Sequence, residues 1–204
     1  MNDTMAIIYI TQTGHVIGAV TCNSDPKRTL TPADVAGPDS ASTGIVLTPS
    51  ATVPIPAGFF LNEFTVPVSV LTVTPPVAFN EAVFQAPGAF AVSNGVAEQL
   101  PIALPGTWKV KLYQTYLEID FPASANASSD VPVWAQIQDP NPPSLPPDTR
   151  VLAGKITQGS ISPTKLPLTI LPGGAAASLP GIRHYSIAVM IGGYLPFFDQ
   201  SPAS

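Results

Sequence analysis

Glu118 and Asp120 are the acidic residues whose spacing comes closest to a catalytic pair. They alternate with apolar residues, and in a strand this spacing puts both carboxylates on one face, about 6.5–7 Å apart. Inverting glycosidases hold two carboxylates about 6.5–9.5 Å apart, but on separate elements and with one acid in a dry pocket. Lys109 and Lys111 have the same spacing. The pattern therefore predicts a polar sheet face on which these lysines pair with the two acids across a hairpin.

The histidines and the single cysteine form no metal or nucleophile motif. His15, His184 and Cys22 are far apart, and no His-x-His or Glu-x-x-His spacing occurs. We expect both histidines to be ordinary polar surface residues, with capping of the turn as an alternative for His15. One cysteine cannot form an intrachain disulfide, so the disulfide framework of small secreted domains is excluded.

Sequence motifs for other chemistry are incomplete. Gly159-Ser-Ile-Ser-Pro163 fails the Gly-x-Ser-x-Gly pattern of α/β hydrolases, and Gly154-Lys155 lacks the upstream glycines of a phosphate loop. Oxygen ligands for calcium occur around Ser128–Asp130 and Asp139–Asn141, without the order of a calcium loop. We therefore expect no catalytic residues, no metal and no cofactor, and a protein that is not an enzyme.

Four aromatic residues could present a binding face. Trp108 shares the parity of Val110 and Leu112, which predicts a core position. Trp134 has the opposite parity to its apolar neighbours Val133 and Ile137, which predicts an exposed or interface aromatic. Aromatic rings stack on sugars and anchor protein interfaces. The candidate interface or ligand face consists of Trp134, Tyr113 and Tyr116.

Short strands account for most of the chain. Residues 5–21 read as a β-hairpin turning at Thr13-Gly14, and residues 108–121 as a strand pair whose parity switches at Tyr113–Tyr116, where we expect a bulge or tight turn. Residues 77–92 are ambiguous between a short helix around 80–85 and strands. Further strands are predicted at 66–73, 131–138, 150–157, 165–171 and 184–195, and a short helical turn is an option at 32–36.

Prolines punctuate these strands at irregular intervals, so they mark turns and edges and no repeat. The pattern predicts an all-β fold, an antiparallel β-sandwich or barrel-like domain with an N-terminal hairpin extension. We expect a hairpin and connector at 1–44 and the sandwich at 45–204, with a stiff proline-rich loop at 139–148. Whether the hairpin pairs within the chain or with a neighbour is open.

Composition limits the partners. Of 204 residues, 45% are hydrophobic, only 10% are charged and 25 are proline, with a net charge of −5. The only adjacent basic residues are Lys27 and Arg28, so a nucleic-acid footprint is not expected. No apolar run is long enough for a membrane span or a signal-peptide core. We expect synthesis in the cytoplasm without a signal peptide, with a final place in a virion or released particle as one alternative.

Two functions remain. The first is a structural, non-enzymatic assembly subunit of a multi-protein particle, such as a phage tail, a contractile injection system or a virion, with other protein subunits as homo- or hetero-oligomeric partners. Low charge, frequent proline and segments suited to strand addition favour it. The alternative is a β-sandwich module that binds a glycan or another surface through Trp134 and its neighbours.

Overall fold

The computed structural model describes residues 4–21, 45–47, 64–66, 70–101, 108–121, 127–138, 149–170, 174–179 and 184–202. These residues lie mostly in short antiparallel strands, which confirms the all-β class. The described strands do not close into a barrel. None of the helices in the described ranges is long and apolar enough to cross a membrane.

Two compact units make up the chain. The first comprises Met1–Pro56 and Glu63–Leu100, and the second comprises Ala57–Asn62 and Pro101–Ser204. The domain boundary expected between 44 and 45 borders undescribed chain and stays a prediction. Cys22, the helical turn at 32–36 and the proline-rich loop at 139–148 also lie outside the described residues.

The first unit is organised around its N-terminal strand. Its strands are β1 (Thr4–Ile10), β2 (Val16–Thr21), β3 (Ile45–Leu47), β4 (Phe64–Val66), β5 (Leu71–Val73) and β6 (Val77–Ala78). β1 and β2 form the predicted hairpin, with a register shift between Ile8 and Tyr9. Strand β3 pairs separately with β4.

The sequence pattern predicted that the hairpin is an extension added to the fold. In the structure it is instead part of a larger sheet. β1 pairs with β2 on one side and with β5 and β6 on the other, so the hairpin pairs within the chain. Met5, Ala6, Ile7, Ile8 and Ile10 are all buried. The side chains of β1 are thus buried on both faces of the sheet and both of its edges are paired, so β1 is the central strand of its sheet.

A helix and a second hairpin complete this unit. Helix α1 (Glu81–Gln85) resolves the ambiguity at 80–85, and a 3-10 turn at Pro87–Ala89 leads to β7 (Phe90–Ser93) and β8 (Val96–Gln99). Asn80 caps α1, because its Oδ1 accepts hydrogen bonds from the amides of Ala82 and Val83 at 3.0 and 3.3 Å. Val83 packs with Met5, Ile7 and Val16 in the unit's core.

The described residues of the second unit form two sheets. Its strands are β9 (Lys109–Leu112), β10 (Tyr116–Asp120), β11 (Val131–Gln138), β12 (Thr149–Ile156), β13 (Thr164–Pro167), β14 (His184–Ile191) and β15 (Phe197–Pro202). One sheet has the order β13-β10-β9 and the other β12-β11-β14-β15, and every pairing is antiparallel.

One hydrophobic cluster draws on both of these sheets. Its buried members include Leu117 and Ile119 of β10, Val133 of β11 and Ile187 of β14. Trp108 packs against this cluster while partly exposed, and its ring meets Phe197 edge to face, with centroids 4.4 Å apart. The core position predicted for Trp108 is therefore confirmed in part.

Candidate functional site

Trp134 does not lie on an exposed face. Its side chain is fully buried, so the prediction from parity was wrong about exposure. Parity did separate Trp134 from the cluster that holds Val133, but the second face of β11 is buried too: Trp134 lies opposite Ala153 and Met190, and Gln136 beside it is also fully buried. The indole Nε1 has no hydrogen-bond partner among the described residues.

Tyr113 and Tyr116 lie together at the tip of the β9–β10 hairpin. Tyr113 N–H donates to the Tyr116 carbonyl at 2.9 Å, which closes the tight turn predicted from the parity switch. The two half-buried rings stack, with centroids 4.4 Å apart and planes inclined by 20°. The structure therefore brings together two of the three aromatic candidates and leaves Trp134 out.

Backbone hydrogen bonds fix this hairpin tip to the rest of the second unit. The carbonyls of Gln114 and Thr115 accept from the amides of Leu179 and Leu168 at 2.8 and 3.0 Å. The buried guanidinium of Arg150 then holds the 177–178 segment, donating to two of its carbonyls at 2.9 and 3.0 Å. The tyrosine pair consequently stands on a well-supported turn.

Charged residues continue the surface beside the tyrosines. In the antiparallel register Glu118 lies opposite Lys111 on one side and Lys165 on the other, and Asp120 lies opposite Lys109. This confirms the predicted cross-strand arrangement of lysines and acids. We name the surface the tyrosine–lysine face; it consists of Lys109, Lys111, Tyr113, Tyr116, Glu118, Asp120 and Lys165.

Lys165 links the aromatic and charged parts of the tyrosine–lysine face. Its Nζ lies 4.8 Å from the centroid of the Tyr116 ring and 3.8 Å from Glu118 Oε2. An ammonium above an aromatic face is an attractive arrangement, worth about 0.5–1 kcal/mol at an exposed site. Glu118 and Asp120 thus lie on one strand, with lysines on the neighbouring strands. In a glycosidase the two carboxylates come from separate elements.

The histidines lie in different environments. His184 is exposed, as predicted, but His15 is fully buried, so the surface position expected for it was wrong. Its Nδ1 lies 2.9 Å from Thr13 Oγ1, and residue 15 forms a β-bridge with Ala91. The turn was recognisable from Gly14, but the residue that bridges to position 15 lies more than 70 positions away in the sequence.

Asp130 acts as a clamp between strands. Its carboxylate accepts from Lys155 Nζ and from the Gln158 amide, the latter at 2.9 Å. The Lys155 hydrogen bond first, and then that of Gln158, lower the pKa of this carboxyl below its ordinary value of 3.8. Among the described residues no group of three or more His, Cys, Asp or Glu side chains could hold a metal ion. The possible ligands Asp139 and Asn141 lie outside them.

An exposed aromatic pair was missed in the sequence. Phe79 lies just before the N-cap of α1 and Phe84 lies near the end of the helix, with ring centroids 5.7 Å apart, and 40% and 42% of the two residues is exposed. Apolar residues in an ambiguous segment look the same whether they face the core or the solvent, so the sequence offered no signal for this pair.

The comparisons with known proteins add no relative. No protein-family model, no curated protein and no solved structure matches the chain.

Proposed function

We propose that this chain is a non-enzymatic structural subunit of a multi-protein particle, of the phage-tail, contractile-injection or virion kind. The observation that carries the proposal is the contact between the exposed rings of Phe79 and Phe84. Isolated apolar side chains are common on protein surfaces, but contiguous apolar patches mark interaction sites. Aromatic residues are also enriched in protein interfaces.

The low charge of the chain supports the same function. Only 10% of its residues are charged, and interface centres are depleted of charged groups. Surfaces of this composition are easily dehydrated, which favours burial against other subunits.

We also propose that the second unit is a β-sandwich, because its two sheets contribute to one buried cluster. Sandwiches protect their open edges to avoid unwanted strand pairing. Here edge strand β9 carries Lys109 and Lys111, and edge strand β13 carries Lys165 and ends in Pro167. Such edges favour contacts through faces and loops over strand addition.

The alternative function, a glycan- or surface-binding module, now depends on Tyr113 and Tyr116. Their stacked rings on a well-supported turn offer an aromatic surface for a sugar. The buried position of Trp134 removes the residue that was expected to anchor this function.

Sedimentation velocity of the purified full chain over a concentration series tests the proposal. We expect self-association that grows with concentration and is lost in the double variant Phe79→Ser/Phe84→Ser. Ile161→Ser is the matched control, because it removes a single exposed apolar side chain elsewhere. A chain that stays monomeric and binds a glycan on a microarray, with binding lost in Tyr113→Ala and Tyr116→Ala, would overturn the proposal in favour of the alternative.

A further inference from the structure

The two units differ in charge. The first contains seven acidic and two basic residues, and the second contains six of each, so the first unit carries the whole net charge of −5. The described residues of the first unit include no lysine or arginine. The second unit is neutral overall, so attraction between unlike units of two molecules depends on local positive charge at its surface.

The acidic unit presents its aromatic pair next to a carboxylate. Phe79, Asn80, Glu81 and Phe84 are all exposed around α1, and we name this surface the aromatic knuckle. Glu81 lies between the two phenylalanines in the sequence, and its carboxylate accepts a hydrogen bond from Gln85 Nε2 at 2.7 Å. The aromatic knuckle thus combines apolar surface with a negative charge.

The second unit offers a surface of complementary character. The tyrosine–lysine face contains three lysines and two acids, so one positive charge is left over after each acid is matched. The exposed ammonium of Lys165 lies beside the ring of Tyr116. The positive charge of Lys165 on the tyrosine–lysine face is therefore complementary to the negative charge of Glu81 on the aromatic knuckle.

We propose that the aromatic knuckle of one molecule docks on the tyrosine–lysine face of a second copy of this chain. Phe79 and Phe84 would pack against Tyr113 and Tyr116, with Glu81 close to Lys165. The two surfaces differ, so the contact is head-to-tail: each molecule keeps one free surface, and repetition builds a ring or a filament. This inference rests on the proposed assembly function and specifies its partner and surface.

Each single contact is expected to be weak. Stable interfaces bury about 800 Å² on each partner, and the aromatic knuckle has only four residues. Closure into a ring compensates, because the contact that closes the ring is intramolecular and forms at a raised effective concentration. The charged part should also weaken as salt rises, since an ionic strength of 1 M shortens the Debye length to about 3 Å.

Charge reversal in the full-length chain tests the docking. We expect Glu81→Lys and Lys165→Glu each to weaken self-association at least tenfold in sedimentation equilibrium. Glu98→Lys is the matched control, because it makes the same charge change at an exposed acid of the same unit outside the aromatic knuckle, and it should associate like the unchanged chain. Lys111→Glu provides a second variant of the tyrosine–lysine face if Lys165→Glu fails to fold by circular dichroism.

Mixing the two reversed chains gives the most specific result. Glu81→Lys retains an intact tyrosine–lysine face and Lys165→Glu an intact aromatic knuckle, and the two reversed surfaces carry opposite charges, so mixing should restore the self-association that each variant alone has lost. Single variants that associate as strongly as the unchanged chain would overturn this docking, while loss of association in Phe79→Ser/Phe84→Ser alone would leave the assembly function standing. An unchanged chain that remains monomeric at every concentration would overturn both.

Discussion

His15 stabilises the first turn from inside the fold. Its buried imidazole lies 2.9 Å from Thr13 Oγ1. In His15→Ala the bond is lost and a void remains, so we expect the free energy of unfolding to fall by about 2–4 kcal/mol. The exposed His184 provides the control, and His184→Ala should change the free energy of unfolding by less than about 0.5 kcal/mol. Urea unfolding followed by circular dichroism measures both; equal effects would contradict the buried role.

Asp130 makes one part of the stability dependent on pH. Its folded-state pKa is lowered, chiefly by Lys155, so its contribution is complete above the ordinary value of 3.8 and is lost as pH falls through the lower folded-state value. We expect Asp130→Asn to destabilise the protein at neutral pH and to lose this effect progressively in acid. Urea unfolding at a series of pH values from about 2 to 6 measures the difference. A difference that is constant across the series would contradict the clamp.

In the first unit, the close approach of the β1–β2 turn to β7 depends on the backbone at Gly14. It has a φ of +78°, and an added Cβ would lie 2.5 Å from the Val92 carbonyl oxygen. Val92 N–H also donates to the Gly14 carbonyl at 2.7 Å. The β1–β2 turn and β7 therefore approach each other where only glycine fits.

Gly95 provides a matched comparison for Gly14. It has a φ of +79° with no atom near an added Cβ. We expect Gly95→Ala to cost about 1–2 kcal/mol from the backbone alone, and Gly14→Ala to cost clearly more, because β7 must also move. Thermal unfolding of both variants tests this. Equal losses would show that the close approach to Val92 carries no energy.

At the scale of the whole molecule, each unit has a hydrophobic cluster of its own. Ile7 belongs to the first unit's cluster and Leu117 to the second, and the two clusters share no member. We expect Ile7→Ala, which costs about 2–5 kcal/mol, to accelerate amide exchange in β1, β2 and β5 while β10, β11 and β14 keep their protection. Leu117→Ala should do the reverse. Hydrogen exchange measured by mass spectrometry reports the exchange rate in each unit separately. Uniform acceleration in both units would contradict the prediction.

Local patterns predicted the elements whose contacts lie close in sequence. The alternation around Lys111 and Glu118 indicated both strands and the turn between them, because side chains in strands alternate with a period of two. Gly14 marked the first turn for a similar reason. Asn94-Gly95, with φ angles of 51° and 79°, is an equally strong hairpin signal, and β7 and β8 pair on either side of it.

The sequence by itself thus determined the strand-built class, the absence of recognisable catalytic motifs and the cross-strand order of charges on the tyrosine–lysine face. Only the tertiary structure decided the burial of Trp134 and His15, the central place of β1 and the exposure of Phe79 and Phe84. Periodicity shows which side chains share a face of a strand, but burial depends on what covers that face. The segments that cover a face come from distant parts of the chain, and local residue spacing does not predict them.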